Sequence, residues 1–511
     1  VYHNDPGAWR TSYQRVLDAR PADLVAAGRE WLMDGSYTLE VLPFPEYSAA
    51  ATGADRSQMP AATEMPMASF PDFERTTLSN GLQVILAPRS GVPTVSMNLI
   101  VNAGAVAESA DKNGLAVLTP AVMTNGTETL DALEISDRQQ LLGATLGAGS
   151  TTDYTTVSMT AIESRLAPSL DLFADVVMNP AFRPEDFQRA QVQQVSGIQQ
   201  SNRNPGAIAN RVLADALYGD DSAYGRSNSG SEATVQALTP ADAEAFHNTW
   251  FRPDNATLVV VGDTTMAELV PELERAFADW DAPSSALPQR AGVGTPPSYS
   301  QPQVLIVDRP GPQSIIMAGR LVGPLDPSTE PNITAMNTAL GGAFTSRINM
   351  NLREDKGWSY GAGSGIRTTP GERLFLVSTG VQADRTADSL VEIDRELADI
   401  VDGRPVADQE LAAHKANLIQ GMAGDWETNG SVAGDLVQMV VYGLPEDYYD
   451  QRTAGLAATT PASVSAAARD VLGDGPTVWV IVGDRAAIEP KIRELGLGEV
   501  RVVDINGDPV E

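Results

Sequence analysis

The chain contains no cysteine and only three histidines, His3, His247 and His414, among 511 residues. Without thiols it forms no disulfide and offers neither a thiolate nucleophile nor a soft metal ligand. The missing cysteines leave the compartment open. The three imidazoles lie far apart in sequence, and none has a second histidine at metal-ligand spacing. His414 follows Glu410 by four residues, which reads as an i,i+4 pair on a helix surface rather than half of a metal site. Basic residues are scarce as well: 35 Lys and Arg stand against 66 Asp and Glu, a formal net charge of -31. A field of that sign repels phosphate backbones and acidic headgroups, so nucleic acid and anionic membrane are poor partners; basic peptides would be attracted, and the plainer reading of the excess acid is a solubilising surface. No apolar run approaches the ~18 residues that would span a bilayer as a helix.

What the chain does have is a repeat. Segments opening at Pro21-Ala22-Asp23, Pro240-Ala241-Asp242 and Pro461-Ala462-Ser463 align without a gap, running through Tyr37 to Leu42, Thr257 to Asp263 and Val478 to Asp484. Each reads as a Pro-started amphipathic helix, a turn and an apolar strand. A period of about 220 residues means duplicated domains rather than a short-repeat solenoid. Only twenty residues precede the first copy. Residues 1–45 are therefore expected to be the tail of a preceding module, and the chain the C-terminal portion of something larger. Residues 46–70, rich in Ala, Met, Pro and Ser, read as a linker. A domain over 71–282 follows, with strands expected at 82–86, 95–101 and 258–261 and helices at 132–142 and 184–200. A Pro-rich linker, 283–302, leads to a second domain, 303–511. Its expected strands are 304–307, 315–319 and 374–379, and its expected helices 334–340, 348–356 and 386–401. Mixed strands and helices at this spacing make the fold class α+β, sheets covered by helices.

The segments Asn80-Gly81-Leu82-Gln83-Val84-Ile85-Leu86-Ala87, Ser96 to Gly104 and Asn113-Gly114-Leu115-Ala116-Val117-Leu118-Thr119-Pro120-Ala121 to Thr127 resemble the opening of the insulinase/pitrilysin family of zinc peptidases. In that family the last helix carries the inverted motif H-x-x-E-H. Laid onto it, the histidine positions fall on Val117 and Ala121, and the glutamate falls on Pro120. The chemistry needs two imidazoles four apart on one helix face to hold zinc, and a carboxylate beside them as general base. Valine, alanine and proline side chains provide none of this. The family's third ligand, a glutamate, falls near Ser196 or Gly197, where no acid stands. No metal ligand is expected in this chain.

A second resemblance lies in Ser346-Arg347-Ile348-Asn349-Met350-Asn351-Leu352-Arg353-Glu354-Asp355-Lys356-Gly357-Trp358-Ser359-Tyr360. Ile348 and Leu352 are four apart and Gly357 follows Lys356, the pattern of a helix ended by a glycine cap. Arg353 then occupies the last turn and Tyr360 opens the next strand, so the two side chains are expected to meet at one rim of the sheet. A guanidinium and a phenol are suited to holding a peptide carbonyl and the oxyanion formed on attack. In the insulinase family the C-terminal half supplies an arginine and a tyrosine seven apart, facing a zinc site on the other half, and Arg353 and Tyr360 match that spacing. Arg347 matches the entry to the same helix and reads as structural. Gly361-Ala362-Gly363-Ser364-Gly365 fits neither a nucleophile elbow nor a phosphate loop.

The resemblance implies two duplicated insulinase-like sandwich domains forming half of a clamshell. The function it implies is a zinc-free subunit of a heterodimeric metallopeptidase acting on peptides. The chain alone would be inactive, with zinc expected in a companion subunit, possibly the N-terminal part of the same precursor. The alternative is a structural or peptide-binding protein of the same fold without peptidase activity. The family's habits favour a periplasmic or otherwise extracytoplasmic setting, with a cytoplasmic one still open.

Overall fold

The computed structural model describes residues 7–33, 35–40, 68–291, 294–473 and 475–510. The chain divides into two compact units, Val1–Thr63 and Glu64–Glu511. In the first, α1 (Ala8–Asp18) is followed by α2 (Pro21–Leu32), with Pro21 in the first turn, where its missing N–H leaves no bond unmade. The helix of the first repeat copy is present, but residues 35–40 form no strand, and Val41 and Leu42 lie outside the described residues. An extended segment needs a neighbour for its peptide groups, and the described residues of this unit contain no other strand. His3 and most of residues 46–70 also lie outside the described residues.

The second unit holds two six-stranded sheets. The first contains β1 (Glu74–Thr77), β2 (Gln83–Pro88), β3 (Thr94–Val101), β4 (Thr145–Ser150), β5 (Thr155–Ile162) and β6 (Ala256–Gly262), in the order β1-β2-β6-β3-β5-β4. The second contains β7 (Gln303–Asp308), β8 (Gln313–Val322), β9 (Ser359–Arg367), β10 (Arg373–Gln382), β11 (Val478–Gly483) and β12 (Glu499–Val503), in the order β12-β7-β11-β8-β10-β9. Five strands correspond one to one. β2 and β7 run parallel to β6 and β11, and every other pairing among the five is antiparallel. The sixth strand differs: β1 lies antiparallel to β2, whereas β12 lies parallel to β7. The molecule is thus α+β.

Alternation along the central strands explains why they read as unbroken apolar runs. In β2, Val84 and Leu86 enter one core while Ile85 and Ala87 enter another on the opposite face. In β7, Val304 and Ile306 separate in the same way from Leu305 and Val307. The covering of the outer faces is reciprocal. Helix Pro205–Tyr218, from the first half, lays Ile208, Val212 and Leu213 on Leu305, Met317 and Val480 of the second sheet. Helix Asn429–Tyr442, from the second half, lays Val432 and Leu436 on Ile85, Ile100 and Val259 of the first. Each fully buried Leu, Ile or Val in these contacts contributes about 1.5–3 kcal/mol.

Candidate functional site

The helix carrying the inverted motif positions, α3 (Leu115–Met123), is held from its N-terminal end. Buried Glu108 accepts hydrogen bonds from Gly114 N at 3.0 Å, Ala116 N at 2.8 Å and Asn113 Nδ2 at 2.7 Å. A carboxylate there satisfies orphan N–H groups and opposes the positive end of the helix. Burial raises its pKa, and these three bonds work against that rise. Pro120 inside the helix costs about 3 kcal/mol. Burial of Leu115, Leu118, Val122 and Met123 outweighs it at about 1.5–3 kcal/mol each.

Val117 and Ala121 are half-buried and line one cavity of about 370 Å³, together with Gln193, Gln194 and Gly197 of helix Pro184–Ser201. The two helices named by the motif alignment therefore converge on one space. Of the two candidates for the third position, Gly197 lines the cavity; Ser196 is exposed and donates to Val192 O at 2.8 Å. Pro120 is buried and does not line it. The residues present do not fit a zinc ion. No imidazole or carboxylate lines the cavity, and its one charged wall residue is a cation, Arg211. Gln194 spends its amide nitrogen on Gly114 O and Ser229 O, both at 2.9 Å.

Arg353 and Tyr360 do meet. The Arg353 Cζ lies 5.2 Å from the centre of the Tyr360 ring and 4.7 Å from that of Phe344, both within cation–π range. Tyr360 is 87% exposed and Phe344 59%, so the cluster stands open to solvent. The ion pair of Arg353 is with its neighbour Glu354, at 3.1 Å. The helix that bears Arg353 departs from the expected α-helix. It is α-helical over Arg347–Asn349 and then π-helical over Met350–Asp355. Ile348, Asn349, Asn351 and Leu352 are all buried, the i, i+1, i+3, i+4 stripe of one helix face, so the inward face is kept although the coil widens. Asn351 Nδ2 reaches Glu392 at 2.9 Å and Glu396 at 2.8 Å, which anchors the widened coil. Gly357, at φ 65, closes it in a conformation that other residues adopt only with strain.

Asn349 ties the cluster together and was not singled out from the sequence. Its Nδ2 donates to Phe344 O at 2.6 Å, and its Oδ1 accepts from Ala362 N at 3.1 Å. One buried amide thus joins the loop of Phe344, the coil of Arg353 and the strand of Tyr360. The signal available was position, since Asn349 precedes Arg353 by one helical turn.

Arg347 has the structural role expected of it. It is buried and bidentate to Glu410, with Nε to Oε1 at 2.8 Å and Nη2 to Oε2 at 2.7 Å, and it also donates to the carbonyls of Arg404 and Pro405. That pairing changes the picture of Glu410 and His414. His414 is buried rather than on a helix surface, and Glu410 is engaged by Arg347. Burial lowers the His414 pKa. His247 is buried too; its Nε2 donates to Val177 O at 2.8 Å and its ring stacks on Phe251. Burial again lowers its pKa. Among the described residues no group of three His, Cys, Asp or Glu is placed to hold a metal.

Residues 83–227 match the family model described as Insulinase (Peptidase family M16), and residues 237–418 match Peptidase M16 inactive domain. An uncharacterized zinc protease of Streptomyces coelicolor is 26% identical over 414 residues, 80% of this chain and 89% of that protein. One of Mycobacterium leprae is 24% identical over 358 residues, covering 70% and 80%. The solved peptidase M16 inactive domain from Pseudomonas fluorescens superposes with a TM-score of 0.73 at 24% identity, over 81% of this chain and 98% of that one. A protease from Helicobacter pylori gives 0.74 at 20%, over 81% and 99%. The periplasmic protease PqqL from Escherichia coli gives 0.69 at 18%, over 91% of this chain and 50% of that one. These structural likenesses carry the fold. With both family matches falling on the two-sheet unit, the chain belongs to the insulinase family, peptidase family M16.

Proposed function

We propose that this chain is the zinc-free subunit of a two-part metallopeptidase, closing over a companion of the same fold that holds the metal. Arg353 and Tyr360 bind the scissile carbonyl of a peptide and stabilise negative charge on its oxygen. The observation that carries the reading is the exposed contact between Arg353 and Tyr360, in a chain whose own motif cavity is lined by Val117, Ala121 and Gly197. A fixed guanidinium and a phenol O–H are donors of the kind that lower a barrier where charge develops. The acidic charge of the chain favours basic peptides. The relatives in Streptomyces and Mycobacterium are named zinc proteases, which supports a peptidase reaction for the assembly. We place the assembly outside the cytoplasm, as the name of the Escherichia coli neighbour has it for that protein. The residues that align with the motif give this chain no metal step of its own.

The test is kinetic. With the companion present, Tyr360→Phe and Arg353→Ala each lower kcat/KM by roughly 1.5–4 kcal/mol in transition-state terms and leave the zinc content of the complex unchanged. Unaltered turnover in both variants refutes the assigned roles.

A further inference from the structure

We infer that Phe344 is a positioning residue for this site, holding the Arg353 guanidinium in place from the loop before its helix. This inference rests on the reading of Arg353 and Tyr360 given above. Its own support is geometric. Arg353 carries five N–H donors on a long flexible stem whose rotamer freedom must be given up to fix it. Its ion pair is to the adjacent, half-exposed Glu354, a weak restraint on direction. Two aromatic rings flank it instead, and Phe344 is the nearer, at 4.7 Å against 5.2 Å for Tyr360.

A phenyl ring has no donor or acceptor for substrate, so Phe344 acts through Arg353. It is 59% exposed and lies outside the buried clusters, so a role in core stability does not account for it. Its backbone, in contrast, is tightly set. Asn349, itself buried, donates to Phe344 O at 2.6 Å, and Ser346 N donates to Ala343 O at 3.1 Å, which fixes the turn that presents the ring. A rigid turn offering an exposed phenyl to a cation is a way to orient that cation without consuming its hydrogen bonds. The Nη donors of Arg353, which the Nε contact with Glu354 does not use, remain available to meet a carbonyl.

Two readouts separate this inference from the reading beneath it. In the full chain labelled with 15N-arginine, the Arg353 Nε–Hε resonance, identified by its loss in Arg353→Lys, shifts and gains mobility in Phe344→Ala, and Phe344→Tyr restores it. With the zinc companion and an internally quenched basic peptide, Phe344→Ala lowers kcat/KM about tenfold, mostly in kcat, and Phe344→Tyr recovers it. Loss in Phe344→Ala with an unmoved Arg353 resonance, or full activity in Phe344→Ala while Tyr360→Phe and Arg353→Ala are impaired, overturns the positioning role alone. Full activity in all three variants removes the catalytic assignment, and the positioning role with it.

Discussion

Gly197 shows how far a single position can be read. Sequence alignment left the third ligand position between Ser196 and Gly197, and the cavity selects Gly197, where an added Cβ would meet nothing within 4 Å. The triple variant Val117→His, Ala121→His, Gly197→Glu should therefore bind zinc at one equivalent by metal analysis after dialysis. Zinc binding no better than in the unaltered chain would show that these positions do not converge as a ligand set. A second residue tests electrostatics. Burial pushes the Asp215 carboxyl up to about 6 from 3.8, with Asp220 and Asp508 adding to the effect. Because the folded pKa lies above the unfolded one, the carboxylate destabilises the fold increasingly from pH 4 to 6 and fully above. Asp215→Asn should raise Tm at pH 7.5 and leave it unchanged near pH 3.5; an equal shift at both pH values would contradict the burial argument. The contact of Arg353 with Tyr360 and the approach of Val117 and Ala121 to the helix of Gly197 were legible because each is defined by spacing. Phe344 and Asn349 were not, since their roles depend on a π-helical coil and a loop carbonyl that spacing does not encode.

At the scale of elements, the two edge strands are copies. Residues 139–150 and 353–364 align without a gap, from a helix end through Gly143 and Gly357 to the shared Gly-Ala-Gly-Ser of β4 and β9. Gly143 and Gly357 have nearly the same backbone, φ 63 and φ 65. In the first copy Gln139 and Leu146 take the places of Arg353 and Tyr360, and Gln139 Oε1 accepts from Leu146 N at 2.8 Å. One position thus closes the strand locally in one half and presents a cation in the other. The two glycines should carry the same cost. At Gly357 an added Cβ meets nothing, and at Gly143 it falls 2.7 Å from Ile162 Cδ1, the free end of an exposed side chain that can turn away. Gly357→Ala should lower stability by about 1 kcal/mol, from backbone strain alone. Gly143→Ala should cost a similar amount in the same denaturant titration, and a loss several times larger would contradict the view that backbone strain sets both. Strands β2, β6, β7 and β11 were visible as apolar runs because both faces are buried. β4 was missed because Gly, Ala, Ser and Thr at a half-exposed edge carry no strong apolar period, although the recurring Gly-Ala-Gly-Ser was a usable signal; β5, an interior strand, was missed although buried Val157, Met159 and Ala161 alternate with Ser158 and Thr160, the period-two pattern of a strand.

At the scale of the two-sheet unit, the exchanged helices make each half depend on the other. Ile208 lies over the second sheet and Leu436 over the first, both fully buried. Ile208→Ala and Leu436→Ala should each cost about 2–5 kcal/mol and lower a single calorimetric transition; two separated transitions would show that the halves are independent. No sequence pattern announced the exchange, since an amphipathic helix does not name the sheet it covers. The central claim, that this chain lends Arg353 and Tyr360 to a metal held elsewhere, is tested most directly by native mass spectrometry with metal analysis on the protein taken from its source. A complex of this chain with a second insulinase-type chain, carrying about one zinc that stays with the second chain on dissociation, is the predicted result. A species of this chain alone, zinc-free and inert toward peptides even when zinc-bearing insulinase-type subunits are supplied, would contradict it.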